Sequence, residues 1–272
     1  MQNTISPGSI VAAPPPARVP QARPRVNAKN PDLRALTSIT WAAVKKVNAP
    51  PEFFSRESSI IHIPASSTAD KISCQPVGVD RLKWWLTQRI DFFQDKNGIQ
   101  IPARPPLDLL RNMLATPDPP LPHLIGIVRH PLFGSDGALQ TEPGYSPATQ
   151  RYYVPDRGLV VPAISGYPTQ QEIDQAKANI LEELLGDFPF VDDPSRAHTV
   201  AALLLPFVRP MITGPTPLHL IWKPKAGTGA TLLAETLCLP SCGSPSLITV
   251  SKDEDERRRT ILAILSFRGP RR

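Results

Sequence analysis

Cysteine is scarce in this chain. Cys74, Cys238 and Cys242 are three in 272 residues, and an odd number does not close into a disulfide framework. Nothing at the N-terminus has the form of a signal peptide, so the expectation is a reducing, cytoplasmic setting without disulfides. The Cys238-x-x-x-Cys242 pair lacks a second Cys or His pair at zinc-finger spacing, which argues against a structural zinc site. Cys238 falls on the apolar side of its expected helix and is assigned to the core. Long hydrophobic runs are also missing. The most apolar stretch, Thr199 to Val208, is about half of the ~20 residues that cross a bilayer, so no membrane partner is expected. Acidic residues are absent from positions 1–30, where Arg18, Arg23, Arg25 and Lys29 give +4. Residues 252–272 hold seven basic and four acidic side chains, giving +3. The net charge is +6, which leaves −1 for the remaining body. The basic balance therefore reports two solvated ends rather than a basic face, and nucleic-acid contact through them belongs to low salt.

Proline is what the chain has in excess: 34 residues, well over twice the ~5% of an average chain. Proline is excluded from helix interiors and central strands, so short elements and long connections follow. With 41% hydrophobic and 20% charged residues, the rest suits a globular protein with a sizeable core. Residues 1–30, with Pro14-Pro15-Pro16 and no apolar periodicity, read as a disordered or polyproline-like leader.

From Asn30 the spacing predicts a helix, with Asn30 as cap, Pro31 at its first position and Leu33, Leu36, Thr37, Thr40, Trp41 and Val44 on one face. A hairpin follows over Glu52–Ser55 and Ser58–Ile63, then a helix over Asp80–Ile90 with Leu82, Trp85, Leu86 and Arg89 on one face. Phe92-Phe93, the Lys96-Asn97-Gly98 turn and Ile99–Ile101 predict a second hairpin. Together these make a small α+β module over residues 31–104. Its doublets Phe53-Phe54, Trp84-Trp85 and Phe92-Phe93 can stack on bases, but aromatics bury so much area that core is the expectation.

Residues 105–168 read as a short helix over Pro106–Leu114, the stiff Pro117–Pro122 linker, a strand over Leu124–Val128 and a turn-rich β-meander. Tyr145, Arg151, Tyr152 and Tyr153 combine stacking faces with a cation, as single-strand binders do. The alternative is a hairpin whose tyrosines pack across strands. Thr169 then opens an amphipathic helix with a Thr169/Glu172 capping box and a stripe of Ile173, Ala176, Ile180, Leu181, Leu184 and Leu185. Asp193, with Pro194, caps a second helix, Ala197 to Val208, apolar on most sides and expected to be buried; His198 reads as a surface or satisfied histidine rather than a metal ligand.

The apolar run Pro217–Trp222 leads into Lys223–Thr231, and Leu232–Leu237 has helix character. That is the strand–loop–helix context of the phosphate-binding pattern G-x-x-x-x-G-K-[ST]. The candidate nucleotide-binding residues are Lys225, Ala226, Gly227, Thr228, Gly229, Ala230 and Thr231, whose backbone N–H groups would face a phosphate. Gly229 stands at the pattern's second glycine and Thr231 at its metal-binding hydroxyl. Pro224 replaces the first glycine and Ala230 the lysine; Lys225 or Lys223 is the nearest substitute cation. A strand over Pro245–Val250 and a helix over Lys252–Leu265 follow, and a β-α-β-α order implies a parallel sheet.

With these residues in view, the C-terminal two-thirds resembles the ATPases of phage- and plasmid-type primase–helicase proteins, P-loop proteins of the superfamily 3 helicase or AAA+ kind. The resemblance rests on Pro105-Pro106-Leu107-Asp108, Pro143-Gly144-Tyr145-Ser146-Pro147-Ala148-Thr149, Ala202–Pro210, Gly214-Pro215-Thr216-Pro217-Leu218, Gly227–Glu235 and Asp253–Glu256 in that order. It implies replication of a mobile element or DNA unwinding, with ATP and Mg²⁺ as cofactors, Thr231 on the metal, DNA as partner, and a homo-oligomer or a completing ATPase subunit. The lysine of that family is Ala230 here, and the acidic strand and arginine finger that hydrolysis uses are not found, so no hydrolysis is expected and ATP is expected to bind weakly or not at all. A non-enzymatic nucleic-acid-binding module over residues 31–165 is the other expectation. The fold class expected is α/β and α+β. The small N-terminal module is followed by a β-rich middle over 105–168, then by a helical pair and an incomplete P-loop domain over 169–272.

Overall fold

The computed structural model describes residues 22–65, 67, 72, 74, 76–225, 227–243, 248 and 251–266. Residues 1–21 of the expected leader lie outside that set. The architecture is mixed α and β. The leader ends earlier than expected, because Arg25–Asn27 forms a strand, β1. Val26 is buried in the core. The first helix, α1, spans Leu33–Val47 and is capped by Asp32, not Asn30: the Asp32 carboxylate accepts from the Arg34 and Ala35 amides. Asn30 instead closes a turn onto the Asp32 amide at 3.0 Å. Both residues favour such local bonds, and the aspartate lies where the helix begins.

The hairpin β2 (Phe53–Arg56) and β3 (Ser59–His62) forms as expected. Its alternate residues feed two different cores. Phe53 and Ile60 join one with α1, α2 (Val79–Arg89) and α3 (Leu107–Leu114), while Phe54 and Ile61 join a second with Leu124 and Val154. Burial on both faces is what the unbroken apolar run encodes. Strands β4 (Asp91–Lys96) and β5 (Ile99–Pro102) pair through a turn with Asn97 and Gly98 at φ 53 and 79, the left-handed pair that a two-residue hairpin requires. β1 adds to β4 in parallel, giving the order β1-β4-β5.

Further along, β6 (Gly126–Val128), β7 (Leu132–Phe133), β8 (Leu139–Gln140), β9 (Gly144–Ser146) and β10 (Arg151–Tyr153) are short, as the proline content implies. They are not a simple meander. β10 lies between β6, to which it is parallel, and β9, to which it is antiparallel.

Helix α4 (Gln170–Ala178) has the expected capping box of Thr169 and Glu172, and continues as a π-helical turn over Asn179–Leu184. A side chain at Gly186 would collide with the Glu182 carbonyl, so glycine is needed there. Helix α5 (Asp193–Val208) is capped by Asp192, one residue before the expected cap. The expectation that α5 is buried does not hold: Leu203 is its one buried residue. It packs with Leu185 and with Leu233 and Leu237 of α6 (Ala230–Cys242) in a small third core. Cys238 is exposed rather than in that core, because the buried positions of α6 are Leu233 and Leu237. The last helix, α7, spans Glu254–Ser266.

The apolar run before the glycine loop behaves unlike a buried strand. Residues 217–222 join no sheet, and Leu218, Leu220 and Trp222 are 94%, 86% and 82% exposed. The expected strand over 245–250 lies outside the described residues apart from Ile248. Among the described residues, the parallel β-α-β-α sheet is not formed. No helix among them is long and apolar enough to cross a membrane.

Candidate functional site

The glycine loop takes its shape from backbone sign alternation. Gly227 has φ 83 and Gly229 φ 82, while Thr228 between them stays on the negative side. Left-handed residues next to right-handed ones are the setting in which successive N–H groups form anion-binding nests. Nothing lies within 4 Å of where a Cβ would stand at Gly227 or Gly229. Glycine is required at these positions for its dihedrals, not for space. The Thr228 hydroxyl donates to the Lys225 carbonyl at 3.2 Å and closes the loop.

Gly229 is also the N-cap of α6. The first bond inside the helix runs from the Leu233 amide to the Gly229 carbonyl at 2.9 Å. The amides of Ala230, Thr231 and Leu232 are therefore those that a helix start leaves open. Thr231 is exposed at this end, as are Lys223 and Lys225 on the approach. Ala226 lies outside the described residues. The donor set suits an anion: backbone amides, a helix N-terminus, a hydroxyl and two lysines. Ala230 supplies no cation at the place of the pattern's lysine.

Tyr145 and Tyr152 are cross-strand partners of β9 and β10, and both rings meet Phe54, at 5.1 and 5.9 Å between centroids. The Tyr145 hydroxyl donates to the His123 carbonyl at 2.8 Å. Burial pushes both phenols above their ordinary values. Tyr153 is 1% exposed and has no face for a base. Packing on Phe54 accounts for the rings of Tyr145 and Tyr152, and Arg151 lies beside them on β10.

The aromatic doublets, all assigned to the core, divide between core and surface. Phe53 and Phe54 are both buried. Of the other two, one ring turns inward and its neighbour outward: Trp85 is 0% exposed and Trp84 51%, Phe92 is buried and Phe93 half-buried. The cause is local. Glu52 accepts from the Trp85 indole at 2.9 Å and from Arg89 at 2.5 Å, and Phe53 stacks on Trp85 with centroids 4.4 Å apart. These contacts fix the rotation of α2 and leave Trp84 on the surface, with the Arg81 guanidinium 5.8 Å over its ring. Phe93 stands on the open face of the β1-β4-β5 sheet with the Arg25 guanidinium 4.9 Å over it. Sequence reasoning assigned both rings to the core. The separating signals are the helical face of Leu82, Trp85 and Leu86, which Glu52 reinforces from far along the chain, and the alternation of β4, which sends Phe92 inward with Val26.

In comparisons with known proteins, no family model, no curated protein and no solved structure matches the chain.

Proposed function

We propose that the chain is a cytoplasmic DNA-replication protein of the primase–helicase kind, whose glycine loop binds the phosphates of ATP without hydrolysing it. The observation that carries this reading is the pair of left-handed glycines, φ 83 and 82, bent around Thr228 and running directly into α6. The amides from Thr228 to Leu232 would hold the phosphate oxygens, Thr231 would offer its hydroxyl to Mg²⁺, and Lys223 or Lys225 would supply the charge that Ala230 does not. The bound metal ion would neutralise charge between phosphate groups. Among the described residues the segment leading into the loop joins no sheet.

The test is thermal unfolding of the full chain with and without ATP and Mg²⁺, run beside an assay for ADP. A ligand that prefers the folded state raises the unfolding temperature, by about 2.7 kcal/mol of stabilisation at a hundredfold excess over Kd. The reading expects that rise with no ADP formed. An unchanged unfolding temperature at millimolar nucleotide defeats it.

A second reading, a non-enzymatic nucleic-acid-binding module within residues 31–165, is favoured by one observation. Trp84 and Phe93 both stand outward under guanidinium groups.

A further inference from the structure

We propose that the two exposed ring–cation pairs, one on α2 and one on the open face of the β1-β4-β5 sheet, bind single-stranded nucleic acid by stacking bases on Trp84 and Phe93. The proposal rests on the second reading above and is independent of the glycine loop.

Strand register defines half of this surface. Val26 pairs with Phe92 and both side chains enter the core, so their neighbours Arg25, Asn27 and Phe93 stand on the opposite face. Phe93 pairs in turn with Pro102, and Asp95 with Gln100, which extends the face across β5. The other half is the outer side of α2, where Arg81, Lys83, Trp84 and Thr87 are exposed. Thr87 lies one helical turn beyond Trp84. With Arg25, Phe93 and Gln100 it lines a groove of about 340 Å³.

Each ring carries its own cation, Arg81 over Trp84 and Arg25 over Phe93. An aromatic face supplies sequence-tolerant stacking, and an adjacent guanidinium can leave the ring for the flanking phosphate as a base arrives. Asp91 is paired with Arg23 at 3.7 Å, while Asp95, which accepts from the neutral Asn27 amide at 3.5 Å, and Asp80 on α2 lower the net positive charge of the surface.

The chemistry selects the occupant. A duplex keeps its base faces stacked inside, so two isolated rings offer it nothing, whereas an unpaired strand presents a π-face at every nucleotide. A protein partner would call for a contiguous apolar patch. Here Arg25, Asn27, Arg81, Lys83 and Gln100 surround the rings.

The experiment uses the full chain and a fluorescent oligothymidylate of about 15 nucleotides, followed by anisotropy at low salt. Trp84→Ala is expected to weaken binding about tenfold while leaving the unfolding temperature unchanged, because the ring is exposed. Arg81→Gln should flatten the slope of log affinity against log salt by about 0.7. Trp222→Ala is the control: it removes another exposed indole and should leave affinity as it was. Three results would each overturn the proposal. The first is no binding of the oligonucleotide by the wild-type chain, which also removes the second reading. The second is binding that Trp84→Ala leaves intact, which keeps that reading and rejects this surface. The third is equal loss with Trp222→Ala.

Discussion

Replacing Glu52 by alanine should destabilise the N-terminal module by about 3 kcal/mol, and the structure says why. One carboxylate oxygen accepts from Trp85 at 2.9 Å and from Arg89 at 2.5 Å, with the Glu52 and Arg89 side chains 16% and 28% exposed. His62 lies 4.0 Å from the same oxygen. Alanine leaves the Trp85 N–H buried without its acceptor, a cost of roughly 1–3 kcal/mol. It also strips Arg89 of its counter-charge. A fully buried pair loses about 3–5 kcal/mol when one partner goes, but Arg89 can reach water and keeps its place over the Trp85 ring at 4.5 Å, so the lower part of the range applies. Glutamine keeps an acceptor and loses only charge, so Glu52→Gln should cost about 1 kcal/mol. Urea unfolding followed by tryptophan fluorescence reads the difference. With a slope of about 2 kcal/mol/M, the alanine variant's midpoint falls by about 1.5 M. A midpoint within about 0.3 M of wild type would refute the argument that this carboxylate fixes the rotation of α2.

The remaining predictions concern the same module and its pH response. Asn48→Ala removes three bonds at once, from its amide to the Phe53 carbonyl at 2.8 Å and to its oxygen from the Glu52 and Phe53 amides at 2.8 and 3.0 Å. The expected cost is about 3 kcal/mol in the same urea assay, and a loss under about 0.5 kcal/mol contradicts it. His62 and His130 are both held below the ordinary imidazole value of 6.5, first of all by burial. Around His62, Glu52 opposes that shift while Arg81 and Arg89 reinforce it; around His130, the bond to the Pro131 carbonyl opposes it and Arg151 reinforces it. As pH falls through 6.5 the unfolded chain takes up protons that the folded chain refuses, so stability is full above 6.5 and declines below it. Urea midpoints at about pH 7.5 and 5.5 should drop on acidification and drop less in His62→Gln; a midpoint that rises on acidification contradicts the assignment.

Local chemistry made much of the N-terminal module legible. The faces of α1 and α2, the capping box at Thr169 and the Asn97-Gly98 turn each follow from residues within a few positions of one another. What stayed hidden depends on distant partners. Arg25–Asn27 has no strand pattern of its own and becomes β1 because β4 offers it an edge. Residues 217–222 have the composition of a buried strand, yet composition supplies no neighbour to pair with, and the segment stands exposed. Helix α5 shows the same limit: only Leu203 is fully buried, with Val200, Ala202 and Phe207 half-buried against neighbours. At the candidate site the pattern located the loop and its glycines, but their alternating dihedrals are a property of the backbone. At the aromatic doublets, Glu52 reinforces the helical face that turns Trp85 inward.

The glycine loop is the centre of the functional account, and calorimetric titration of ATP with Mg²⁺ into the full chain tests it most directly. Gly229→Val places a β-branched residue at φ 82, a strain of roughly 1–3 kcal/mol with no contact added or lost. The account predicts saturable heat with the wild-type chain and at least about tenfold weaker binding in the variant. Heat that is absent from the wild type, or that survives unchanged in Gly229→Val, would contradict it.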